Sequence, residues 1–168
     1  MKILTFDTCL DKMYVTLAED EKILCAKVVT NKDNKYHSAF LISTLQQVMS
    51  ENSVLPKDID LIGVNIGPGS FTGIRACTTV ARIMAQQLEI KAVGISSLEI
   101  LAQLAPDGTN PVVAVDARKN VAYLYINKEI KGAVQLEEVE NTLASGDYYL
   151  ITDDKLQQRL GGVSYQQK

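Results

Sequence analysis

Apolar residues in the first thirty positions come in short, β-branched runs divided by polar turns. Ile3–Phe6 ends at Asp7, Met13–Leu17 carries Tyr14, Val15 and Thr16, and Ile23–Val29 follows the turn Glu19-Asp20-Glu21-Lys22. Such runs between turn signals predict three strands of an antiparallel meander. After the polar stretch Thr30–Lys35 and the tripeptide Tyr36-His37-Ser38, the period changes. Between Phe40 and Met49 the apolar residues Leu41, Leu45, Val48 and Met49 recur at helical spacing, and Pro56 closes that region. Ile59–Ile66 is strand-like and leads into Gly67-Pro68-Gly69-Ser70-Phe71-Thr72-Gly73. A long helical segment, Ile74–Leu88, comes next. Ile90–Ile95 reads as another strand, and Ser96-Ser97-Leu98-Glu99 matches a capping box opening a helix to Ala105.

Pro106-Asp107-Gly108 breaks the pattern and predicts a boundary between lobes at residues 1–105 and 106–168. Beyond it, Val112–Val115 ends at Asp116 and Val121–Asn127 forms a second strand. Leu136–Leu143 is helical, Tyr148–Thr152 a strand and Asp153–Leu160 a last short helix. Strands and helices in this order predict an α/β class with mixed sheets. The two lobes also share a detail. Phe6-Asp7-Thr8 and Val115-Asp116-Ala117 each close an apolar strand, and seven residues later come Tyr14 and Tyr123. A strand–Asp–turn–strand unit that occurs twice predicts internal duplication; an aspartate serving as a turn former is the plainer alternative.

The segment Ile74–Leu88 has hardly any polar face: Ile74, Ala76, Cys77, Val80, Ala81, Ile83, Met84, Ala85 and Leu88 surround it. Such a helix must be buried on all sides or covered by a partner. Cys77, Ala81 and Ala85 form a small-residue stripe suited to close helix packing, so one face is expected in the lobe and the other in an interface.

Composition narrows the classes. Nearly half of the 168 residues are apolar, enough for a real core. A net charge of −3 gives no electrostatic footprint for binding RNA unaided. No apolar run is long enough to cross a bilayer, and Met1–Asp7 has no secretory pattern. The cysteines Cys9, Cys25 and Cys77 are odd in number and share no close spacing, which predicts reduced thiols in the cytoplasm. His37 is the one histidine. A metal site needs three or four convergent ligands, so no metal cofactor is expected, and the absence of a Ser-His-Asp constellation disfavours a peptidase.

Several segments carry a family resemblance, in order and over residues 1 to about 127. Gly67-Pro68-Gly69-Ser70-Phe71-Thr72-Gly73-Ile74-Arg75 resembles the signature of the TsaB (YeaZ) family and its catalytic paralogue TsaD. Ile3-Leu4-Thr5-Phe6-Asp7-Thr8 resembles the family's opening strand, and Tyr36-His37-Ser38 its Arg-His-Ser element. Gly94-Ile95-Ser96-Ser97-Leu98-Glu99 and Asp116-Ala117-Arg118 resemble two later elements. The chain departs from the family at Ala76-Cys77-Thr78-Thr79, where glycine is usual, and at Arg82, in place of a lysine. The family's second lobe is normally longer and ends in a segment that returns to the first; this sequence stops at Lys168, as a reduced member or a shortened chain would.

The resemblance implies an actin-like, ribonuclease H-like duplicated fold, shared with sugar kinases and heat-shock chaperone ATPases, with a short second lobe. It implies a non-catalytic scaffold that heterodimerises with TsaD, the metal-bearing threonylcarbamoyl transferase, and works with the ATPase TsaE on the adenosine beside the tRNA anticodon. A homodimer is the other expected pairing, and tRNA is met through the complex. Leu41, Leu45, Cys77, Ala81, Arg82 and Ala85 are then candidates for the interface. Asp7 and Asp116 lie where the superfamily's two phosphate-facing hairpins lie. With Ser70 and Thr72 they are weak anion or nucleotide candidates. The glycine-rich loop is neither a dinucleotide fingerprint nor a Walker loop, and Ser70 or Thr72 serves equally as an N-cap. The turn Thr8-Cys9-Leu10-Asp11-Lys12 has no glycine to admit phosphates, so no cofactor is expected. The alternative is an ATP-binding phosphotransferase or ATPase of the same superfamily.

Overall fold

The computed structural model describes residues 1–30 and 37–167, and of His37 the backbone alone. Tyr36 and the His37 side chain, from the element that resembles Arg-His-Ser, lie outside the described residues. The chain divides into two compact units, Met1–Ser97 and Leu98–Lys168.

In the first unit, β1 (Lys2–Asp7), β2 (Met13–Glu19) and β3 (Lys22–Val29) form the expected meander, and β4 (Leu61–Asn65) and β5 (Lys91–Ile95) extend it in parallel. The sheet order is β3-β2-β1-β4-β5. Pairing sets Leu4 beside Leu17 and Ile62, and Phe6 beside Val15 and Val64, so alternate residues share one face. Onto that face pack α1 (Leu41–Glu51), through Leu41, Leu45, Val48 and Met49, and α2 (Phe71–Leu88), through Cys77 and Ala81. Each fully buried aliphatic side chain here contributes on the order of 1.5–3 kcal/mol. A Lys27–Glu51 ion pair at 2.7 Å ties β3 to α1.

α3 (Ser97–Ala102) spans the division between the units. It is three residues shorter than the sequence predicts. The N–H groups of Gln103, Leu104 and Ala105 bond to carbonyls three residues back, so the chain tightens before Pro106, which disfavours helical backbone at Ala105.

In the second unit, β6 (Pro111–Asp116), β7 (Val121–Ile126), β8 (Glu129–Gln135), β9 (Tyr149–Thr152) and β10 (Val163–Ser164) lie in the order β10-β9-β6-β7-β8. α4 (Leu136–Ala144) falls between β8 and β9 and α5 (Asp154–Leu160) between β9 and β10. Val112, Ala114, Ala122 and Leu124 meet Leu136, Val139 and Leu156 in its core. Read in the reverse direction, this sheet repeats the first strand for strand, with the same parallel and antiparallel partners and the same helix placements. The duplication is real, and the topology is the actin-like one. The repeated tyrosine spacing is not part of it: Tyr14 stands opposite Asp7, but Tyr123 stands opposite Val115. Strand β8 goes beyond the sequence expectation. It follows a two-residue turn in which Asn127 and Lys128 both have φ above 50°. No helix among the described residues is long and apolar enough to cross a membrane.

Candidate functional site

At the end of β1 each oxygen of the Asp7 carboxylate accepts a hydrogen bond from the chain itself. Its Oδ1 accepts the Cys9 N–H at 2.6 Å and its Oδ2 accepts the Asn65 side-chain amide at 2.8 Å. Asn65 ends β4, is buried, and holds this corner together. Its Oδ1 accepts the Gly67 N–H at 2.8 Å and the Ser97 hydroxyl at 2.9 Å, and its carbonyl accepts both the Cys9 and Cys77 thiols. Among the described residues every buried side-chain nitrogen or oxygen has a partner. Tyr14, across from Asp7, has its phenol pushed up by burial and then by the nearby Asp11 and Asp7 carboxylates.

The glycine-rich loop is closed onto this corner. Ser70 donates its N–H to the Cys9 carbonyl at 2.7 Å, and Thr8 donates its hydroxyl to the Gly73 carbonyl at 2.6 Å. A Cβ at Gly69 would sit 2.2 Å from the Cys9 carbonyl oxygen, and one at Gly73 would sit 1.8 Å from that of Thr8. Only a residue without a side chain lets the two backbones meet so closely. Of the two N-cap candidates, Ser70 is the cap, its hydroxyl accepting the Gly73 N–H at 3.2 Å. Thr72 is exposed in the first turn of the helix. The N–H groups of Gly67, Ser70, Gly73 and Ile74 are thus all taken by acceptors of the chain itself.

Asp116, at the matching strand end of the second unit, is occupied as well. Its Oδ2 pairs with Lys155 Nζ at 2.6 Å and its Oδ1 accepts the Arg118 N–H at 3.1 Å. Asp153 braces it, accepting the Asp116 N–H at 2.7 Å and capping α5 through the Leu156 N–H at 2.9 Å. The turn beyond carries three successive left-handed residues, Arg118, Lys119 and Asn120. Among the described residues, no three His, Cys, Asp or Glu side chains converge as metal ligands would.

Four of the six interface candidates face inward. Leu41, Leu45, Cys77 and Ala81 are at most 2 % exposed and belong to the core of their own unit. Ala85 is half-buried, and Arg82 alone is exposed. The small-residue stripe packs α2 on its own sheet. The outward face of α2 is instead mixed, with Phe71 at 73 % and Ile83 at 56 % exposure beside Arg75, Thr79, Arg82 and Gln86. The Arg75 guanidinium lies 5.4 Å from the Phe71 ring centroid. On α1, Ile42 is 53 % exposed. Large apolar residues and arginines on one helix face have the composition of a protein interface.

The roles of Asn65 and Asp153, and the outward direction of Phe71 and Ile83, emerge only with the structure. Asn65 and Asp153 were legible in principle as polar residues ending apolar strands; which way Phe71 and Ile83 face is set by packing.

A family model described as "TsaD: tRNA N6-adenosine threonylcarbamoyltransferase" matches residues 24–157. The chain is similar to the tRNA threonylcarbamoyladenosine biosynthesis protein TsaB of Bacillus subtilis (strain 168), at 27 % identity over 92 % of this chain and 67 % of that one. With the TsaB of Escherichia coli (strain K12) the identity is also 27 %, over 96 % and 68 %. The chain spans about two thirds of the length of these curated relatives. Among solved structures, YeaZ from Pseudomonas aeruginosa is similar at a TM-score of 0.65 and 27 % identity, over 80 % of this chain and 65 % of that one. An uncharacterized protein with similarity to peptidase YeaZ from Pseudomonas aeruginosa aligns at a TM-score of 0.76 and 23 % identity, over 97 % and 82 %.

Proposed function

Because the chain belongs to the TsaD family, and within it to the TsaB (YeaZ) members, we propose that it is a non-catalytic partner subunit in the synthesis of threonylcarbamoyladenosine in tRNA. It associates with TsaD in the cytoplasm, and the ATPase TsaE acts in the same cycle. The outward face of α2 makes the contact, with Phe71 and Ile83 as anchors and Arg75 and Arg82 around them. In the absence of TsaD a second copy of the chain occupies that face. The acidic net charge of −3 fits a subunit that meets tRNA through the complex.

One observation carries this reading. Gly69 and Gly73 of the signature loop are filled by the carbonyls of Cys9 and Thr8, and the carboxylates of Asp7 and Asp116 are bound by Asn65 and Lys155. The residues that would face a nucleotide in a kinase of this fold are turned to holding the chain together, while the helix beside them offers an anchor surface. Reconstitution tests it: TsaD, TsaE, ATP, threonylcarbamoyl donor and tRNA are combined with and without the chain. Modified tRNA is expected only when the chain is present, and calorimetry of the chain alone with ATP and magnesium is expected to show no binding. Equal modification without the chain, or ATP turnover by the chain alone, refutes the reading.

A further inference from the structure

Cys9 follows β1 and Cys77 lies in the middle of α2, 68 residues further along the chain, yet their sulfurs are 3.7 Å apart. Both thiols are directed at one acceptor, the Asn65 carbonyl oxygen, at 3.3 Å from Cys9 and 3.2 Å from Cys77. Both are buried, at 1 % and 0 % exposure. The pair owes its closeness to the same feature that closes the signature loop, since Gly69 and Gly73 bring α2 down onto the backbone of Thr8 and Cys9. The third cysteine, Cys25, is half-buried on β3.

We propose that Cys9 and Cys77 form a modification site, a dithiol that a hydroperoxide converts to an intramolecular disulfide. The proposal stands apart from the partner reading above. The sulfurs must close from 3.7 Å to about 2.05 Å, a displacement shared between two side chains. When the Cys9 S–H turns from the Asn65 carbonyl to the Cys77 sulfur, that hydrogen bond favours the Cys77 thiolate, against burial and with help from Thr8, and Cys77 then attacks. The same hydrogen bond, burial and the Asp7 charge push Cys9 up. With hydrogen peroxide, the Cys77 sulfur attacks one oxygen, the O–O bond breaks, and the departing hydroxide takes the proton that Cys77 gave up. This leaves a sulfenic acid on Cys77 and one water. The Cys9 sulfur then attacks the Cys77 sulfur, the S–O bond breaks, and the hydroxide leaves with the Cys9 proton as a second water. Two thiols lose two electrons and one peroxide gains them. A dithiol reductant reverses the bond.

The test uses the wild-type chain, so no variant has to fold. The protein is treated with hydrogen peroxide, alkylated in denaturant and digested with trypsin. The expected product joins Ile3–Lys12 to Ala76–Arg82, two hydrogens lighter than the separate peptides, while Ile23–Lys27 stays alkylated at Cys25. Alkylatable thiols fall from three to one and return to three with dithiothreitol. Cys25→Ser is expected to give the same joined peptide. Three alkylatable thiols after treatment, linkage only through Cys25, or sulfinic acid at Cys77 without linkage each overturn the proposal.

Discussion

The carbonyl oxygen of Thr8 lies 1.8 Å from the point where a Cβ on Gly73 would sit, so α2 begins in direct backbone contact with the turn after β1. Gly73→Ala therefore has to push two backbones apart, and is expected to lower stability by about 2–3 kcal/mol, on the scale of overpacked cores. Gly108→Ala is the control: nothing lies within 4 Å of its Cβ, and its φ of 80° leaves a penalty of about 1–2 kcal/mol. Urea unfolding distinguishes them. Equal losses contradict the close-approach account of the signature loop.

Asn65→Ala removes an amide that binds Asp7, Gly67 and Ser97 at once. A buried N–H and a carboxylate oxygen lose their partner together, so a loss of about 3 kcal/mol or more is expected from the desolvation cost of unpaired groups. Unfolding of the single variants and of the double variant Asn65→Ala/Ser97→Ala checks the coupling. The double variant is expected to lose less than the sum of the two.

Ala81→Glu is expected to prevent folding. Ala81 is 1 % exposed against its own sheet, and an unpaired carboxylate there costs several kcal/mol, comparable to the whole stability of a domain. Circular dichroism of the variant decides it. A native spectrum and an unshifted melt contradict the inward direction of the small-residue stripe.

The Lys27–Glu51 pair makes stability depend on pH. Hydrogen bonds from Lys27 and then Gln47 hold the Glu51 carboxyl below its usual value, against desolvation and with help from the Lys27 charge. A depressed acid contributes its stability above the unfolded value near 4.5, and loses it as pH falls through the lower folded value. Wild type is thus expected to be more stable than Glu51→Gln at pH 7, with the gap closing below about pH 4.5 and shrinking in high salt. Melts of both proteins from pH 3 to 7 check this; a gap that widens toward low pH contradicts the pairing.

Much of the fold was legible in the sequence because each repeat states its strands and its closing aspartate in short apolar runs. Asp7 and Asp116 marked the duplication correctly. The matching spacing of Tyr14 and Tyr123 did not, because one turn is a residue longer and the tyrosines fall out of register. Strand β8 escaped notice since its turn uses Asn127-Lys128 without glycine, and Gly132 interrupts a strand that is mostly exposed. The stripe Cys77–Ala81 was visible, but helical spacing cannot say whether a small face meets the chain's own sheet or another protein. Its direction came from the glycines ahead of it. They draw α2 inward, and so leave Phe71 and Ile83 outside.

Isothermal titration of purified TsaD with the chain measures the proposed contact at the outward face of α2 directly. Wild type is expected to bind with one-to-one stoichiometry. Ile83→Glu and Phe71→Glu are expected to keep the wild-type spectrum and melt, since both side chains are exposed, and to weaken binding at least thirtyfold, the effect of losing about 2 kcal/mol at an interface anchor. Wild-type affinity in both folded variants contradicts the account.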